Sequence, residues 1–460
     1  MLDILESCFE TSIAHTVDLI HIRKQKRKIT TCIVKNGIAE FFSTALIQGI
    51  GIRALLGGSW GFSSTSLMDK EHILHTLHDA CALATTQDTP SSRDIHLDAM
   101  PAVEDTRSSP VKISPSTLTE EDIIRIPMEA CNGAKESGPA LKEITATFIC
   151  IEDKKKFLSS EGSRITQDCT RVMLYVDALA KKNDLICPAS ENLGHTGGLE
   201  LFNDITPYMV GKQVGDKAIQ LLKARSPPSG MFPVVIHPTL CATLLHEAIG
   251  HPLEADLAMA GGGFGSQVGN QVSSPLITIY DDGLLPHGLG YIPYDDEGIS
   301  CKKTVLIEEG RLISFMHDRT SAALSGVPPT GNAHAWDYSV EPLIRQTTIG
   351  IEPGEFTEEE MIEDITEGLY LQGTFGGQAD SNADFTFGFQ NAFWIHHGTL
   401  GEEVRGANVA GNAIEVFETV DAVGKEAMLR PGACGKFQFA IQGRKVPAIR
   451  CNIMVGGSGK

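Results

Sequence analysis

The sequence contains no CxxC pair, although 11 of its 460 residues are cysteines. Their number is odd and they are scattered from Cys8 to Cys451, which is not the pattern of a disulfide framework in a small secreted protein. The first ten residues lack the basic start and apolar block of a secretory signal and carry Asp3, Glu6 and Glu10 instead. We therefore predict a cytoplasmic protein with reduced cysteines.

The sequence also lacks an uninterrupted apolar run of about 18 residues, the length that a transmembrane helix needs. Basic residues are scarce: 38 Lys and Arg stand against 58 Asp and Glu, which gives a net charge of −20. A chain this acidic repels both a phosphate backbone and an anionic membrane surface, so we predict no nucleic-acid partner and no membrane partner. The basic run at residues 23–28 precedes an apolar, β-branched stretch and is interpreted as the solvated end of a strand.

The pattern of apolar and turn residues along the chain predicts an α+β fold in two domains. Residues 1–226 combine amphipathic helical patterns with strand-like runs, which is typical of a mixed α/β domain. Prolines at 227 and 228 cannot continue the helix before them, so we place the boundary between residues 226 and 231. Residues 231–460 contain many short β-rich runs between turns and few helical patterns, which predicts a β-rich domain.

The individual elements follow from hydrophobic periodicity and turn residues. Helices are predicted at 73–84, 119–134, 205–225 and 357–368. Strands are predicted at 144–151, 171–178, 234–237, 276–280, 303–307, 312–316, 347–351, 386–394 and 448–455. Between residues 87 and 117 the composition turns to Pro, Ser and Asp, which predicts a long surface loop.

One segment combines residue types that carry out chemistry. His246, Glu247 and His251 lie at the end of an apolar, helix-like stretch and are followed by Glu254 and Asp256. The pattern is similar to HExxH, in which two imidazoles one helical turn apart bind zinc and the glutamate acts as general base. Burying this many polar groups without partners is costly, and a divalent ion satisfies them together. Ordinary, partly buried histidines at a helix end are the alternative.

The spacing of the two histidines is one residue longer than in HExxH. On a regular α-helix, residues four apart diverge by about 40° and residues five apart by about 140°, so an unbroken helix cannot point both at one ion. Either a π-bulge restores the alignment, or the helix ends at Gly250 and His251 reaches back. The sequence favours the helix end, because Gly250 permits left-handed geometry and Pro252 disfavours the α region for His251.

The residues alone do not decide a third ligand. Glu254 is one candidate, and the cysteines that come into question are Cys241, Cys301, Cys434 and Cys451. A carboxylate beside a metal site commonly orients a ligand histidine by accepting its other N–H, and we interpret Glu254 and Asp256 in this way.

The run from His246 to Asp256, His-Glu-Ala-Ile-Gly-His-Pro-Leu-Glu-Ala-Asp, resembles the signature of the TldD/PmbA family of metallopeptidases in its metal-bearing, TldD-like branch. Further stretches that resemble this family are Gly49-Ile-Gly-Ile-Arg53 with Gly61-Phe62, Gly265-Ser-Gln-Val-Gly269, Asp295-Asp-Glu-Gly298, Pro329-Thr-Gly-Asn332 and Gly432-Ala-Cys-Gly-Lys436. The resemblance extends over most of the chain and is densest after residue 230.

The resemblance implies one zinc ion per chain, held by His246, His251 and Cys434, with Glu247 as the catalytic carboxylate. It implies hydrolysis of peptides or unfolded polypeptides by water, with Glu247 as the proton acceptor. It also implies a two-chain assembly, either a homodimer or a heterodimer with a related subunit that lacks the metal motif. A thiolate and two imidazoles suit Zn²⁺ better than Mg²⁺ or Ca²⁺ and leave a fourth position open.

A glycine-rich stretch, Gly261-Gly-Gly-Phe-Gly265, follows the motif. Glycines allow another backbone to approach closely, so we predict that Gly262, Gly263 and Phe264 contact the substrate. A flexible connector without a binding role is the alternative.

Two other functions are consistent with the same residues. A zinc hydrolase of small amides would use the same two histidines and cysteine. A modification or assembly factor would hold zinc as a structural ion, in which case Glu247 would have no catalytic role.

Overall fold

The computed structural model describes residues 2–86, 96–380 and 382–456, and the protein has the predicted α+β fold. Strands up to Thr196 form a seven-stranded sheet, and most strands from Gly230 onward form a thirteen-stranded sheet. No helix in the described ranges is long and apolar enough to cross a membrane. The division into domains 1–226 and 231–460 stays a prediction.

In the described part of the first half, long strands alternate with helices. The helices are α1 (Leu2–Ser7), α2 (Lys70–Thr86), α3 (Glu120–Lys135) and α4 (Pro207–Leu221), with short 3-10 helices at Ala14–Thr16, Pro115–Thr117 and Leu199–Phe202. The strands are β1 (Leu19–Lys35), β2 (Ile38–Leu56), β3 (Ser59–Thr65), β4 (Glu104–Ser108), β5 (Leu141–Ser159), β6 (Arg164–Lys182) and β7 (Leu185–Thr196). The predicted loop at 87–117 contains β4, and its residues 87–95 lie outside the described ranges.

The second half has shorter elements. Its helices are α5 (Pro238–Leu244), α6 (Ala255–Met259), α7 (Arg319–Ser325), α8 (Glu358–Glu363) and α9 (Ala413–Glu418), with a π-helix at Leu245–Gly250 and a 3-10 helix at His251–Leu253. Its strands are β8 (Gly230–Ile236), β9 (Ile279–Asp282), β10 (Lys303–Glu308), β11 (Arg311–Leu312), β12 (Ala333–His334), β13 (Leu343–Ile344), β14 (Thr348–Ile351), β15 (Glu367–Gln372), β16 (Gly377–Ala379), β17 (Asp384–Gly388), β18 (Asn391–His396), β19 (Thr399–Arg405), β20 (Asn408–Asn412), β21 (Ala422–Lys436) and β22 (Gln438–Gly456).

The first sheet has the strand order β3-β2-β1-β5-β6-β4, and β7 also pairs with β6. The helices predicted at 73–84, 119–134 and 205–225 are confirmed as α2, α3 and α4. Helix α3 begins with a capping box, in which the Thr119 hydroxyl accepts from the N–H of Asp122 and the Asp122 carboxylate accepts from the N–H of Thr119. The apolar faces of α3 and α4 form one buried cluster with β1, β5 and β6.

The basic run at residues 23–28 lies within β1, so its interpretation as a solvated strand end was wrong. Successive side chains of a strand point to opposite faces, and one face of this run is buried. Arg23 and Arg27 are each 5% exposed. Nη2 of Arg27 donates to Asp153 at 2.6 Å, and Nη2 of Arg23 donates to the Val340 carbonyl in the second half at 2.5 Å.

Buried and partly buried ion pairs join the two halves of the chain. These pairs, which we call the seam, are Arg53–Glu297 at 2.7 Å, Lys155–Asp296 at 2.9 Å and Arg319–Glu161 at 2.7 Å. Burial raises the pKa of Asp296, but the charges of Lys155 and Arg23 outweigh burial and lower it to about 2. Removing one partner of a buried pair leaves an uncompensated charge, so the seam requires both sides.

Three predicted elements of the second half differ from the structure. The helix predicted at 357–368 ends at Glu363, and β15 follows it and pairs with β8 inside the sheet. The run at 386–394 is divided between β17 and β18, and the run at 312–316 is strand only at Leu312. Pairing in the sheet and turn formation override local periodicity in these segments.

Strand β22 organises the part of the second half that holds the motif. It pairs with β8, β14, β20 and β21, and its hairpin with β21 places Cys434 opposite Ala440. Strand β8 leads directly into α5, which packs against β22. The helical segment after β8 therefore lies against the hairpin, although His251 and Cys434 are 183 residues apart in sequence.

Candidate metal centre

The π-helix at Leu245–Gly250 continues α5 without a break, contains His246 and is followed directly by His251. The N–H of His251 donates to the carbonyl of His246, five residues earlier. This i→i+5 hydrogen bond widens the turn, so that residues five apart lie on the same side of the helix. The prediction that the helix ends at Gly250 was therefore wrong, and the π-bulge alternative is correct.

Gly250 provides space rather than a left-handed turn. Its φ and ψ are −61° and −48°, and His251 is also right-handed helical, so Pro252 did not exclude that conformation. A Cβ on Gly250 would lie 2.4 Å from Oε1 of Gln346. The missing side chain therefore lets the Gln346 amide pack against the helix, next to His246.

The π-turn brings three potential ligand atoms together. A ring nitrogen of His246, a ring nitrogen of His251 and Sγ of Cys434 all lie within 4.8 Å of one another. Sγ is 3.2 Å from Nε2 of His251, and the two imidazole centroids are 4.6 Å apart. In the described part of the chain, no other group of three His, Cys, Asp or Glu side chains is this compact.

Each imidazole is held through its Nδ1. Nδ1 of His246 donates to Oε1 of Gln346 at 2.6 Å, and Nδ1 of His251 donates to Oε1 of Glu254 at 3.0 Å. An acceptor at Nδ1 fixes the tautomer whose Nε2 lone pair can bind a cation. On His246 that lone pair accepts a hydrogen bond from Nε2 of Gln442 at 2.7 Å.

The sulfur of Cys434 is held by a buried arginine. Nη2 of Arg345 donates to Sγ at 2.6 Å, and Arg345 is 1% exposed. Its Nη1 donates to the carbonyls of Lys436 and Gln438 at 3.1 and 3.3 Å, which fixes the guanidinium against the hairpin. The other cysteines considered from the sequence are buried away from the two histidines: Cys241, Cys301 and Cys451.

Glu247 lies on the more exposed side of this group. Its Oε1 is 3.6 Å from Nε2 of His246, and its Oε2 is 3.7 Å from Nε2 of His251. The Glu247 side chain is 26% exposed, compared with 17% for His251 and 0% for His246. The carboxylate therefore spans the two ring nitrogens and faces the solvent.

A buried lysine links the two carboxylates that follow the motif. Nζ of Lys436 contacts Oε2 of Glu254 and lies 2.7 Å from Oδ2 of Asp256. Glu254 uses its other oxygen for His251 and so orients that ring. Asp256 contacts Lys436 instead of a histidine, so its interpretation as an acceptor for a ligand histidine was wrong.

Burial and neighbouring charges act differently on the two imidazoles. Burial lowers the pKa of His246 well below 6.5, and the charge of Arg444 adds to this effect. Burial also lowers the pKa of His251, but its hydrogen bonds with Cys434 and Glu254 outweigh burial and raise the pKa to about 10. These two contacts thus favour a proton on His251, and metal ligation replaces such a proton by a cation.

The chemistry of these donors fits a zinc ion. Two imidazole nitrogens and one sulfur form a ligand set that zinc prefers and that hard cations such as Mg²⁺ do not. The hydrogen bonds at both Nδ1 atoms are the supporting contacts expected around such an ion. Oε1 of Gln442 is also buried without a hydrogen-bond partner beside His246, so the polar groups of the site are incompletely satisfied by the chain.

In the glycine-rich stretch after the motif, residues 261–265, one of the three predicted substrate contacts is buried in the core. Phe264 is 0% exposed and packs in the main core of the second half, so the prediction that it contacts the substrate was wrong. Gly262 and Gly263 are partly exposed and stay predicted substrate contacts. The phenylalanine anchors the stretch from inside because an aromatic ring gains most when it is buried.

Several polar residues of the site were missed in the sequence. Gln346 lies 100 residues after His246, and neither it nor the adjacent Arg345 belongs to a recognisable motif. Gln442 is a single polar residue after an apolar run in β22 and belongs to no motif. Of these residues only Lys436 could have been found from the sequence, because it ends one of the stretches that resemble the family. Only the pairing of distant strands brings these side chains to the histidines.

Sequence models of three domains of PmbA/TldA metallopeptidases match this chain. Domain 1 matches residues 22–84, the central domain matches residues 113–222, and the C-terminal domain matches residues 229–457. The C-terminal match contains both histidines, Glu247 and Cys434.

Relatives match the chain over nearly its whole length. A metalloprotease of Methanothermobacter thermautotrophicus is 34% identical over 454 residues, which is 97% of each chain. A zinc metalloprotease TldD homolog of Saccharolobus solfataricus is 27% identical over 405 residues, 88% of each chain. The crystal structure of TldE from Thermococcus kodakarensis has the same fold, with a TM-score of 0.78 and 19% identity over 99% of this chain and 100% of that one.

Proposed function

This chain belongs to the PmbA/TldD family of metallopeptidases, and we propose that it hydrolyses peptides with one zinc ion held by His246, His251 and Cys434. Glu247 is the catalytic carboxylate in this proposal. The observation that carries it is the convergence of the three ligand atoms within 4.8 Å. The zinc metalloprotease among its relatives supports the choice of metal.

The residues around the ligands have defined tasks in this proposal. Zinc supplies, when bound, the Lewis-acid chemistry that makes water a nucleophile at neutral pH. Glu247, 3.6 and 3.7 Å from the two Nε2 atoms, accepts the proton of the attacking water and passes it to the leaving amine. Gln346 and Glu254 keep the two imidazoles oriented, so that Glu247 meets the water in a fixed geometry.

We propose peptides or unfolded polypeptides as substrates. His246 is fully buried and the Glu247 side chain is only 26% exposed, so the reacting groups are recessed. A recessed carboxylate is reached by an extended chain more readily than by the surface of a folded protein. Gly262 and Gly263, which lie after α6, are the proposed contacts for the substrate backbone.

We further propose that the protein works in the cytoplasm as a pair of chains, either a homodimer or a heterodimer with a related subunit. The fold shared with TldE supports a related subunit as the second chain. The tip of the β21–β22 hairpin supports an assembly, because Phe437 is 94% exposed there and Phe439 is 46% exposed. Analytical ultracentrifugation of the full chain, alone and with a candidate subunit, tests this proposal.

Metal analysis combined with a peptidase assay tests the proposed reaction. We expect about one zinc per chain in the wild type and in Glu247→Ala, because that change spares the ligands. We expect Glu247→Ala to lower peptide hydrolysis by about 100-fold or more, since it removes the general base.

The same experiment separates the two rival functions. Protein without a divalent metal would contradict the proposal, and unchanged activity in Glu247→Ala would favour a structural zinc. Turnover of N-acyl amino acids without turnover of unfolded peptides would favour a hydrolase of small amides.

A further inference from the structure

Arg444 is a buried cation with almost no partner in the chain. It lies in β22 and is 8% exposed. Its Nη1 donates to Oγ1 of Thr243 at 3.4 Å, which is long for a hydrogen bond, and its Nε has no hydrogen-bond partner. It forms no salt bridge with any carboxylate in the described ranges. Burial of a charge without a partner is strongly unfavourable, which indicates that a ligand completes this site.

The other buried arginines have more partners. In the described ranges these are Arg23, Arg27, Arg53, Arg171, Arg319 and Arg345. Four of them have a carboxylate partner, and the remaining two each donate to two backbone carbonyls. Arg444 thus differs from all six in having a single hydroxyl contact.

The guanidinium of Arg444 lies over Gly432 of the neighbouring strand. A Cβ on Gly432 would be 2.8 Å from its Nε and 2.9 Å from its Cζ. Gly432 and Cys434 are two residues apart in β21 and share one face of the strand. Burial lowers the pKa of Arg444, and the charges of Glu247 and Cys434 oppose this, so both groups lie within electrostatic range. The guanidinium is therefore next to the metal centre.

A second arginine lies directly opposite Arg444 in the hairpin. Arg430 of β21 pairs with Arg444 of β22 in the strand register. Like charges at such a position destabilise a hairpin. Arg430 is compensated by hydrogen bonds to Glu191 and Asn192, whereas Arg444 has no comparable partner. A repulsive pair beside the metal centre indicates that the uncompensated charge serves binding.

An open cleft lies beside this pair. Its cavity volume is about 320 Å³, and its lining includes Tyr175, Lys217, His237 and Arg430. Tyr175 and Arg430 also act electrostatically on Arg444, so the cleft and the guanidinium share these two neighbours. The cleft therefore opens close to the surroundings of Arg444.

We propose that Arg444 binds a carboxylate of the peptide substrate, supplied either by its C-terminus or by an acidic side chain next to the scissile bond. This proposal rests on the proposed peptidase function. Two N–H groups of a guanidinium match the two oxygens of a carboxylate, and the Nε–H of Arg444 has no other partner. Arg444 is thereby a residue that determines specificity and leaves proton transfer to Glu247.

Binding to a catalytically inactive protein tests the proposal without turnover. The probes are N-acetyl-dialanine as the free acid and as its amide, titrated calorimetrically into zinc-loaded Glu247→Ala. We expect the acid to bind about 10-fold more tightly than the amide or better, and we expect the additional change Arg444→Met to abolish this preference. Arg450→Met in the same strand is the control and should keep it. Equal affinity for acid and amide before Arg444 is changed would overturn the proposal.

A second variant displaces the guanidinium of Arg444 without removing its charge. Gly432→Ala places a methyl group 2.8 Å from Nε and 2.9 Å from Cζ of Arg444, so the flexible side chain of Arg444 must move. Gly435→Ala is the matched control, because a Cβ there meets nothing within 4 Å. We expect Gly432→Ala to weaken binding of the acid probe and Gly435→Ala to leave it unchanged. Equal effects of the two changes would contradict the role assigned to the guanidinium.

Peptide hydrolysis identifies the source of the carboxylate. We expect Arg444→Met to raise KM about 10-fold with kcat retained for one of two pairs of peptides. In the first pair KM rises for free-acid peptides but not for their amides. In the second pair KM rises for amidated peptides with Glu, but not Gln, beside the cleavage site. The first result assigns a C-terminal carboxylate and the second an acidic side chain. An equal fall in kcat for every peptide would assign Arg444 to the transition state and overturn carboxylate binding. If the wild type cleaves no peptide, the proposed function fails, whereas the calorimetric comparison still tests the binding site.

Discussion

At the seam each buried cation faces a carboxylate, whereas at the metal centre two buried guanidinium groups face none. Arg53 donates to Glu297 at 2.7 Å across the seam. Arg345 and Arg444, which are 1% and 8% exposed, have no carboxylate partner in the described part of the chain. The charges of the seam are therefore matched within the protein, whereas at the metal centre Arg345 donates to the sulfur of Cys434 and the guanidinium of Arg444 is left for the carboxylate of a substrate.

This difference assigns distinct tasks to the same residue types. Matched buried charges contribute to the stability of the fold once both partners are present, and losing one is costly. Unmatched buried charges lower the stability of the unliganded protein and prepare it for a ligand. Changes in the seam should consequently affect unfolding, and changes at the metal centre should affect binding.

The largest expected effect is a loss of stability from Glu161→Ala. This change leaves Arg319, which is 4% exposed, without its carboxylate partner. We expect the free energy of unfolding to fall by about 3–5 kcal/mol in urea denaturation, with the zinc content of the folded protein unchanged.

A matched surface pair provides the control for that experiment. Lys154 and Asp168 have side chains that are 69% and 44% exposed, and Asp168→Ala should change the unfolding free energy by less than about 1 kcal/mol. Similar losses from both changes would remove the distinction between the seam and the surface.

The next largest effect is the loss of zinc affinity in Cys434→Ser. A serine hydroxyl replaces the sulfur that lies 3.2 Å from Nε2 of His251. We expect zinc to bind about 100-fold more weakly, which corresponds to about 2.7 kcal/mol, in competition with a chromophoric chelator. Cys451→Ser is the control, because Cys451 is buried in β22 away from the histidines. Equal loss of zinc from both variants would refute the choice of ligand.

A third effect depends on pH and concerns Asp296 in the seam. Its pKa is lowered from 3.8 to about 2 in the folded protein, so the ionised form is favoured by folding. The stability it contributes is present above about pH 4 and is lost as the pH falls through about 2. At about 1.4 kcal/mol per pKa unit, the contribution is about 2 kcal/mol.

Comparison of the wild type with Asp296→Asn measures this contribution. We expect the difference between their unfolding free energies to be smaller by about 2 kcal/mol near pH 2 than near pH 6. A difference that does not depend on pH would show that the charge of Asp296 is not stabilised by Lys155.

The smallest effect concerns the space that Gly250 provides. An alanine there would place its Cβ 2.4 Å from Oε1 of Gln346 and displace the amide that orients His246. Losing such a supporting contact typically weakens metal binding by about 10-fold or more, which is about 1.4 kcal/mol. Gly435→Ala, next to Cys434, should leave zinc affinity unchanged because its Cβ meets nothing within 4 Å. A stronger effect of the control would contradict this account.

Much of the fold was predictable because its signals are local. Helices α2, α3 and α4 were predicted from hydrophobic periodicity, which depends only on neighbouring residues. The basic run at residues 23–28 was misread because burial of Arg23 and Arg27 depends on carboxylates and carbonyls far away in sequence. The helix predicted at 357–368 was too long for the same reason, since pairing of β15 with β8 decides where it stops.

The candidate site was predictable only in part. The two histidines and Glu247 stand in one short motif, and the family resemblance pointed to Cys434. Gln346, which holds His246, could not be found in this way, because a single glutamine 100 residues away carries no pattern. Local rules also favoured the helix end, since Gly250 and Pro252 usually stop a helix. Packing of Gln346 against Gly250 shows that the glycine serves another purpose.

The π-turn makes this motif tolerant of an inserted residue. In a regular helix one extra residue rotates everything after it by about 100°. Here the wider turn absorbs that rotation, so His246 and His251 face each other as ligands one α-turn apart would. The additional length is taken up by Ala248 and Ile249, which are fully buried on the far side of the helix. A metal-binding helix can thus gain a residue without losing its ligands when the core behind it accommodates one more side chain. Such sites are better recognised by the direction in which their ligands point than by the number of residues between them.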